Sequence, residues 1–173
     1  EIYTLSLHDA LPISTSSFPS FSCYETGVTL EPVDGGRENP EVKSVDYRAA
    51  YALPPDAFEV LYCPRGEITE AAHSSFFLVL KGTLVTAPVS RVLEGTTRRI
   101  ILELARGAGI PVEERCPTLA ELTLADEAFI TGSVKKVLPV SRVGPRTIGD
   151  GRPGPMTRRL SKLYLERIRE WLE

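Results

Sequence analysis

The 173-residue sequence has no Cys-x-x-Cys pair, no apolar run long enough to span a membrane, no internal repeat and no large excess of charge of either sign. Each absence excludes something. The three cysteines, Cys23, Cys63 and Cys116, are odd in number and widely spaced. That argues against a disulfide scaffold or a zinc site and for a reduced, cytoplasmic setting. A net charge of -3 and a pI near 5.6 give no electrostatic reason to expect nucleic acid or an anionic membrane as partner. The paired arginines Arg98-Arg99 and Arg158-Arg159 fall in helical patterns, where a solvated face is the expected role. What remains, 42% hydrophobic and 25% charged residues, is close to the globular average and predicts a folded, soluble chain.

The first residues stand apart from the rest. Glu1 to Ser14 lacks a basic n-region, and His8-Asp9 interrupts its apolar run, so it does not read as a signal peptide. It resembles the in-frame translation of a sequencing-library adapter, and residues 1–14 are therefore expected to lie outside the fold. Residues 15–26, opened by a Ser-rich stretch without periodicity, are expected to be disordered or a remnant linker. A single domain is expected over 27–173.

Within that domain short strands alternate with two helices. Phe58 to Cys63, Phe76 to Leu80 and Thr83 to Thr86 read as strands, and Lys81-Gly82 between the last two is a two-residue hairpin signal. Ile100, Ile101, Leu104, Ala105 and Ala108 recur at helical spacing after Thr96-Thr97, with Gly109 as the stop. Val112 to Cys116 reads as a strand and Leu119 to Leu124 as a short helix or turn. Glu127 to Thr131 and Val137 to Val140 are two more strands. Leu160, Leu163, Tyr164, Ile168 and Trp171 form the apolar stripe of a C-terminal helix. Hairpins beside helices predict an α+β domain rather than a doubly wound sheet.

Several local patterns could carry chemistry, each weak alone. Gly95-Thr96-Thr97 opens a helix, whose first amides and positive dipole end favour a phosphate; Thr96 as a simple helix cap is the plainer reading. Thr131-Gly132-Ser133 offers further amides and a hydroxyl, or only a glycine turn. Glu70 stands before a very apolar segment, where a carboxylate needs a partner to stay charged, although a solvent-facing hairpin glutamate would look the same. Lys43, taken alone, is a surface lysine.

Taken in order, the pieces match a family. Pro40-Glu41-Val42-Lys43-Ser44-Val45-Asp46-Tyr47 resembles the Schiff-base lysine segment of the class IV (fold-type IV) pyridoxal-phosphate-dependent aminotransferases, the branched-chain and D-amino-acid group. Gly66-Glu67-Ile68-Thr69-Glu70 followed by Ser74-Ser75-Phe76-Phe77 resembles their G-x-[IV]-[TS]-E-x-x-x-x-N-x-F signature. Leu93-Glu94-Gly95-Thr96-Thr97-Arg98 resembles L-x-G-I-T-R, and Ala125 to Ser133 resembles A-D-E-x-F-x-[TS]-[GS]-[TS]. Gly149-Asp150-Gly151-Arg152-Pro153-Gly154-Pro155-Met156-Thr157 follows in the family's order. The resemblance runs from about Gly27 to Ile168.

The resemblance implies a mixed sheet or pseudo-barrel with packed helices, the large domain of such an enzyme, truncated at its N-terminal side. It implies pyridoxal 5'-phosphate as cofactor and no metal. Lys43 would form the internal aldimine and then move the proton. Glu70 would face the pyridine nitrogen, Tyr47 the ring's 3-oxygen, and Leu93 would pack on the ring face. The phosphate would rest on Gly95, Thr96 and Thr97, with Gly132 and Ser133 adding an amide and a hydroxyl. The implied activity is transamination between an amino acid and a 2-oxo acid, by a homodimer when full length. Aminodeoxychorismate lyase chemistry of the same family and a non-catalytic fragment are the alternatives. Departures from the pattern are Ser75 for the usual Asn, Ala71-Ala72 for Gly-Ser, and His73. The Lys43 to Glu70 spacing is short by about two helical turns of roughly 3.6 residues each, with Pro54-Pro55 in the gap. The first domain, which would supply a phosphate-binding arginine and much of the substrate pocket, is nearly absent.

Overall fold

A computed structural model of the protein describes residues 19–36 and 53–172. Strand β4 (Ser74–Leu80, SSFFLVL) shows how the sequence builds two cores at once. Successive side chains of a strand point to opposite faces. Phe76 and Leu78 therefore enter one buried cluster, while Phe77 and Val79 enter another. A strand apolar on both faces needs cover on both sides, and the rest of the chain supplies it.

The inner cover is a closed ring of strands. Strands β1 (Val28–Val33), β2 (Glu59–Tyr62), β3 (Glu70–Ala71), β7 (Glu127–Gly132) and β8 (Lys136–Val143) join β4 in the order β3-β2-β1-β8-β7-β4. The additional β3–β4 pairing closes the ring. Leu30, Leu61, Phe76, Leu78, Ile130 and Leu138 fill its interior. Beyond β4 the sheet continues through β5 (Thr83–Thr86) to β6 (Val112–Glu114), and β9 (Arg146–Thr147) pairs with β8. The β4–β5 hairpin turns at Lys81 (φ 47) and Gly82 (φ 79). Both residues of the turn need positive φ, the requirement that Gly82 meets without strain.

The outer cover is helical. In α2 (Thr96–Gly107) the residues Ile100, Ile101 and Ala105, and in α3 (Pro155–Leu172) the residues Leu160 and Tyr164, pack on Phe77, Phe129 and Val137. Phe77 and Phe129 stack with ring centroids 4.8 Å apart. The start of α3 is held by Glu127, whose carboxylate accepts the amides of Met156 (2.9 Å) and Thr157 (2.7 Å). This satisfies two helix-end donors and sets negative charge at the positive end of the dipole. A Cβ at Gly154 would overlap the Glu127 side chain, which is why the chain approaches the helix through glycine. Among the described residues no helix is long and apolar enough to cross a membrane.

Several expectations need correction. Residues 21–26, expected to be disordered or linker, form helix α1 (Phe21–Thr26). A helix of one or two turns has no stability alone. This one is held because Cys23 and Tyr24 pack on the barrel core and Tyr24 Oη donates to Lys135 O at 3.0 Å. Strand β1, absent from the sequence reading, lies between β2 and β8, parallel to both. Arg98, expected on a solvated face, is only 2% exposed. Its guanidinium donates to Ala87 O (2.7 Å) and Glu114 Oε2 (2.9 Å), so an ion pair and a carbonyl replace water. The predicted strand from Val112 ends at Glu114, short of Cys116.

Candidate functional site

Glu70, Ser75 and Thr131 stand side by side across three strands. Glu70 pairs with Ser75 between β3 and β4, and Ser75 with Thr131 between β4 and β7. Their chain neighbours Ala71, Phe76 and Ile130 point into the barrel, so these three point out of it. Glu70 is 4% exposed, which rules out the solvent-facing hairpin reading. The amide of Leu93 donates to Glu70 Oε2 at 3.3 Å. The segment between β5 and α2 is thereby drawn over the row, and half-buried Leu93 comes with it.

That segment ends at Gly95, the cap position of α2, which makes no side-chain cap hydrogen bond. The plainer reading of Thr96 as the cap is therefore replaced: Thr96 is the first helical residue. The first helical hydrogen bond is donated by Arg99 N to Gly95 O at 3.0 Å. The amides of Thr96, Thr97 and Arg98 thus lie outside the helix's own ladder, at the positive end of a 12-residue dipole. A Cβ at Gly95 would lie 3.3 Å from Ser75 Oγ, so the helix start abuts the Glu70–Ser75–Thr131 row. Thr96 is exposed, while Thr97 is buried with its Oγ1 3.5 Å from Tyr164 Oη.

The electrostatics at this end are set by Arg98 beneath the first turn. It pairs with Glu114, which also takes Arg106 at 2.6 Å. The hydrogen bond from Arg98, then that from Arg106, holds the Glu114 carboxyl below its ordinary range against the opposing effect of burial.

Gly132 and Ser133 complete the neighbourhood. Gly132 follows Thr131, and a Cβ there would lie 3.4 Å from His73 O. Ser133, expected to offer a hydroxyl, is exposed in the β7–β8 turn. The buried hydroxyl is that of Thr131, 1% exposed, whose Oγ1 has no hydrogen-bond partner among the described residues. In the sequence Thr131 stands out only within the Thr131-Gly132-Ser133 pattern and Ser75 only in place of the usual Asn, and neither carries an expected role in the site. Their alternation with the inward Ile130 and Phe76 was the signal that could have found them. Lys43 and Tyr47 lie outside the described residues. The cavity of ≈ 350 Å³ between α1, β8 and α3, bordered by Tyr24, Pro139 and Leu165, contains none of the predicted site residues.

A six-stranded barrel with helices on its outer face defines the class of protein as an α+β domain, and outside the barrel a buried carboxylate stands beside the start of α2. The family model described as amino-transferase class IV matches residues 11–143, and the chain belongs to that family. It is 38% identical over 105 residues to the branched-chain-amino-acid aminotransferase of Pseudomonas aeruginosa, covering 61% of this chain and 34% of that one. Identity to the D-alanine aminotransferase of Bacillus licheniformis is 38% over 103 residues, covering 59% and 36%. The crystal structure of the branched-chain amino acid aminotransferase from Thermobaculum terrenum, in its PLP-form, is similar at a TM-score of 0.74 and 30% identity. That likeness covers 82% of this chain and 50% of that chain. The chain thus spans between 34% and 50% of the length of these proteins.

Proposed function

We propose that the chain is the cofactor-holding part of an aminotransferase that uses pyridoxal 5'-phosphate to exchange an amino group between an amino acid and a 2-oxo acid. The observation that carries this is the juxtaposition of buried Glu70, fixed by the Leu93 amide, with the open amides at the start of α2. The residues present fit the cofactor. A carboxylate suits a pyridinium proton, unladdered amides suit a phosphate, and the Thr131 hydroxyl, without a partner among the described residues, is a further donor at the same place.

Bound there, pyridoxal phosphate supplies an electron sink for negative charge at the substrate's Cα. The chain's own residues do the rest. Glu70 holds the proton on the ring nitrogen, and Leu93 offers an apolar face. Thr96, Thr97, Gly132 and Ser133 receive the phosphate, with the α2 dipole behind them. By the family motif, Lys43 would hold the cofactor covalently and move the proton, and Tyr47 would hydrogen-bond the 3-oxygen; both lie outside the described residues. The full-length protein is read as a cytoplasmic homodimer. The free thiols Cys23, Cys63 and Cys116 suit a reducing compartment, and exposed Phe21, Leu124 and Trp171 suit cover by further chain or a second subunit.

The test is reductive trapping. Borohydride added to the chain at saturating pyridoxal phosphate should fix the cofactor on Lys43, found by peptide mapping. An amino acid added before reduction should abolish the label. Label on Lys81 or Lys135, or none, would overturn the reading.

A further inference from the structure

The barrel mouth next to the site contains a buried ion pair that the reaction as read above does not use. Lys135 Nζ donates to Glu59 Oε2 at 2.7 Å and to Ser74 Oγ at 3.0 Å, and it lies 5.4 Å from the centre of the Phe58 ring. Both charged side chains are more than nine-tenths buried. Glu59 is also the acceptor for the backbone amide of His73, so one carboxylate holds the β3–β4 turn and Lys135 at once. Lys135 belongs to the β7–β8 turn, directly after Ser133 and Val134.

That turn is not stable by its own chemistry. Lys136, at φ 55, occupies the left-handed region without being glycine, so the backbone is held there against its preference. The hold comes from both ends of Lys135. Its ammonium is anchored inside the barrel, and its carbonyl accepts Tyr24 Oη from α1 at 3.0 Å. Gly132, at the start of the turn, closes against His73 O. The two turns carrying the site's residues, Glu70 to Ser75 and Thr131 to Ser133, are therefore tied to each other through Glu59 and Lys135.

We propose that Lys135, paired with Glu59 and tethered by Tyr24, is a positioning residue that fixes the Gly132–Ser133 backbone for phosphate binding. This rests on the reading of the site as one for pyridoxal phosphate. An unpaired turn of this conformation would sample several backbone arrangements and present its amides to the phosphate only part of the time. The pair acts on the phosphate end of the cofactor and not on its aldehyde end, which makes the two separable.

Affinities for pyridoxal phosphate and for pyridoxal, which lacks the phosphate, should be measured by absorbance titration on the 173-residue chain and its variants. Glu59→Leu with Lys135→Met removes the pair without leaving a lone buried charge. It should weaken pyridoxal phosphate by roughly tenfold, the scale of one hydrogen bond to a charged group, and leave pyridoxal unchanged. Lys135→Arg alone, with Glu59 retained, can still form the pair and should keep most of the parent's ratio, and Tyr24→Phe should shift the ratio in the direction of the double variant by less. A folded double variant that keeps the parent's ratio overturns the proposal. If the double variant does not fold, an unchanged ratio in Tyr24→Phe overturns it instead. A parent chain that binds both compounds equally, or neither, refutes the phosphate reading itself and the proposal with it.

Discussion

Ser74 and Ser75 are neighbours on one strand, yet they belong to two regions with opposite habits. Ser74 faces the barrel interior, where Lys135 donates to it and it donates to Glu59 at 2.9 Å, so the buried polar groups there satisfy one another. Ser75 faces outward beside Gly95 at the start of α2 and beside the Thr131 hydroxyl, which has no partner among the described residues. Burying polar groups without partners costs free energy, so the two regions differ in how far their own residues meet that cost. Among the described residues, the polar groups of the inner region bond one another, and the outer region keeps a buried hydroxyl without a partner.

The widest separation of the two regions should come from Glu70→Gln. The amide cannot hold a pyridinium proton as a carboxylate does, so amino transfer by the protein at its relatives' length should fall by about 100-fold or more. Global stability, followed by urea unfolding, should change little by comparison. A Gln variant with unaltered turnover would make Glu70 a structural residue like Glu59.

On the inner side the ordering reverses. Lys135→Met alone strands the Glu59 carboxylate in the barrel and should cost about 3–5 kcal/mol in urea unfolding. The double variant with Glu59→Leu should recover most of that. Equal losses in the single and double variants would mean that packing, and not the charge pair, matters at the barrel mouth.

A smaller effect is expected at acid pH. The folded-state pKa of Glu114 lies below the ordinary 4.5 because Arg98 and Arg106 bond its charged form. A depressed carboxylate pKa contributes stability above the unfolded value, and that contribution is lost as pH falls from 4.5 through the folded pKa. Stability between pH 4.5 and lower values should therefore decline less steeply in Glu114→Gln than in the parent. Parallel pH profiles for the two proteins would show that the Arg98 pair adds nothing.

The smallest effect concerns thiols. Burial, with a lesser contribution from Asp34, pushes the Cys63 thiol up to about 12. A thiol held neutral and enclosed reacts slowly, so a disulfide reagent at about pH 8 should modify half-buried Cys23 and Cys116 first and leave Cys63 for the unfolded chain. Fast modification of Cys63 in native protein would show that this side of the barrel opens readily.

Much of this molecule was legible from residue order. The Lys81-Gly82 hairpin, the α2 stripe ending before Gly109 and the Leu160–Tyr164 face of α3 are local signals, written in turn chemistry and in the 3.6 and 2 periodicities. Of the expected site residues, Glu70 accepts the Leu93 amide, and Gly95 at the start of α2 abuts Ser75, the partner of Glu70 across the strands. Lys43 and Tyr47 rest on the sequence alone. Helix α1 escaped because its stability comes from Tyr24 and Cys23 packing on a barrel formed by distant residues. Strand β1, carrying Pro32, was hidden because its partners lie far along the chain, at Glu59–Tyr62 and Val140–Val143.

What only the tertiary structure decided is which polar residues are left open and which are closed. Lys135 looks like any surface lysine in sequence and becomes a buried one because ring closure brings Glu59 to it from 76 residues away. Arg98 reads as a solvated helix residue and is enclosed because Ala87 and Glu114 converge on it from two separate strand ends. Thr131 reads as part of a glycine turn and becomes a buried hydroxyl without a partner among the described residues, because register sets it beside Ser75. Residue type and spacing determine which groups can bond. Their partners are set by non-local pairing, because burial removes the water that would otherwise satisfy each of them.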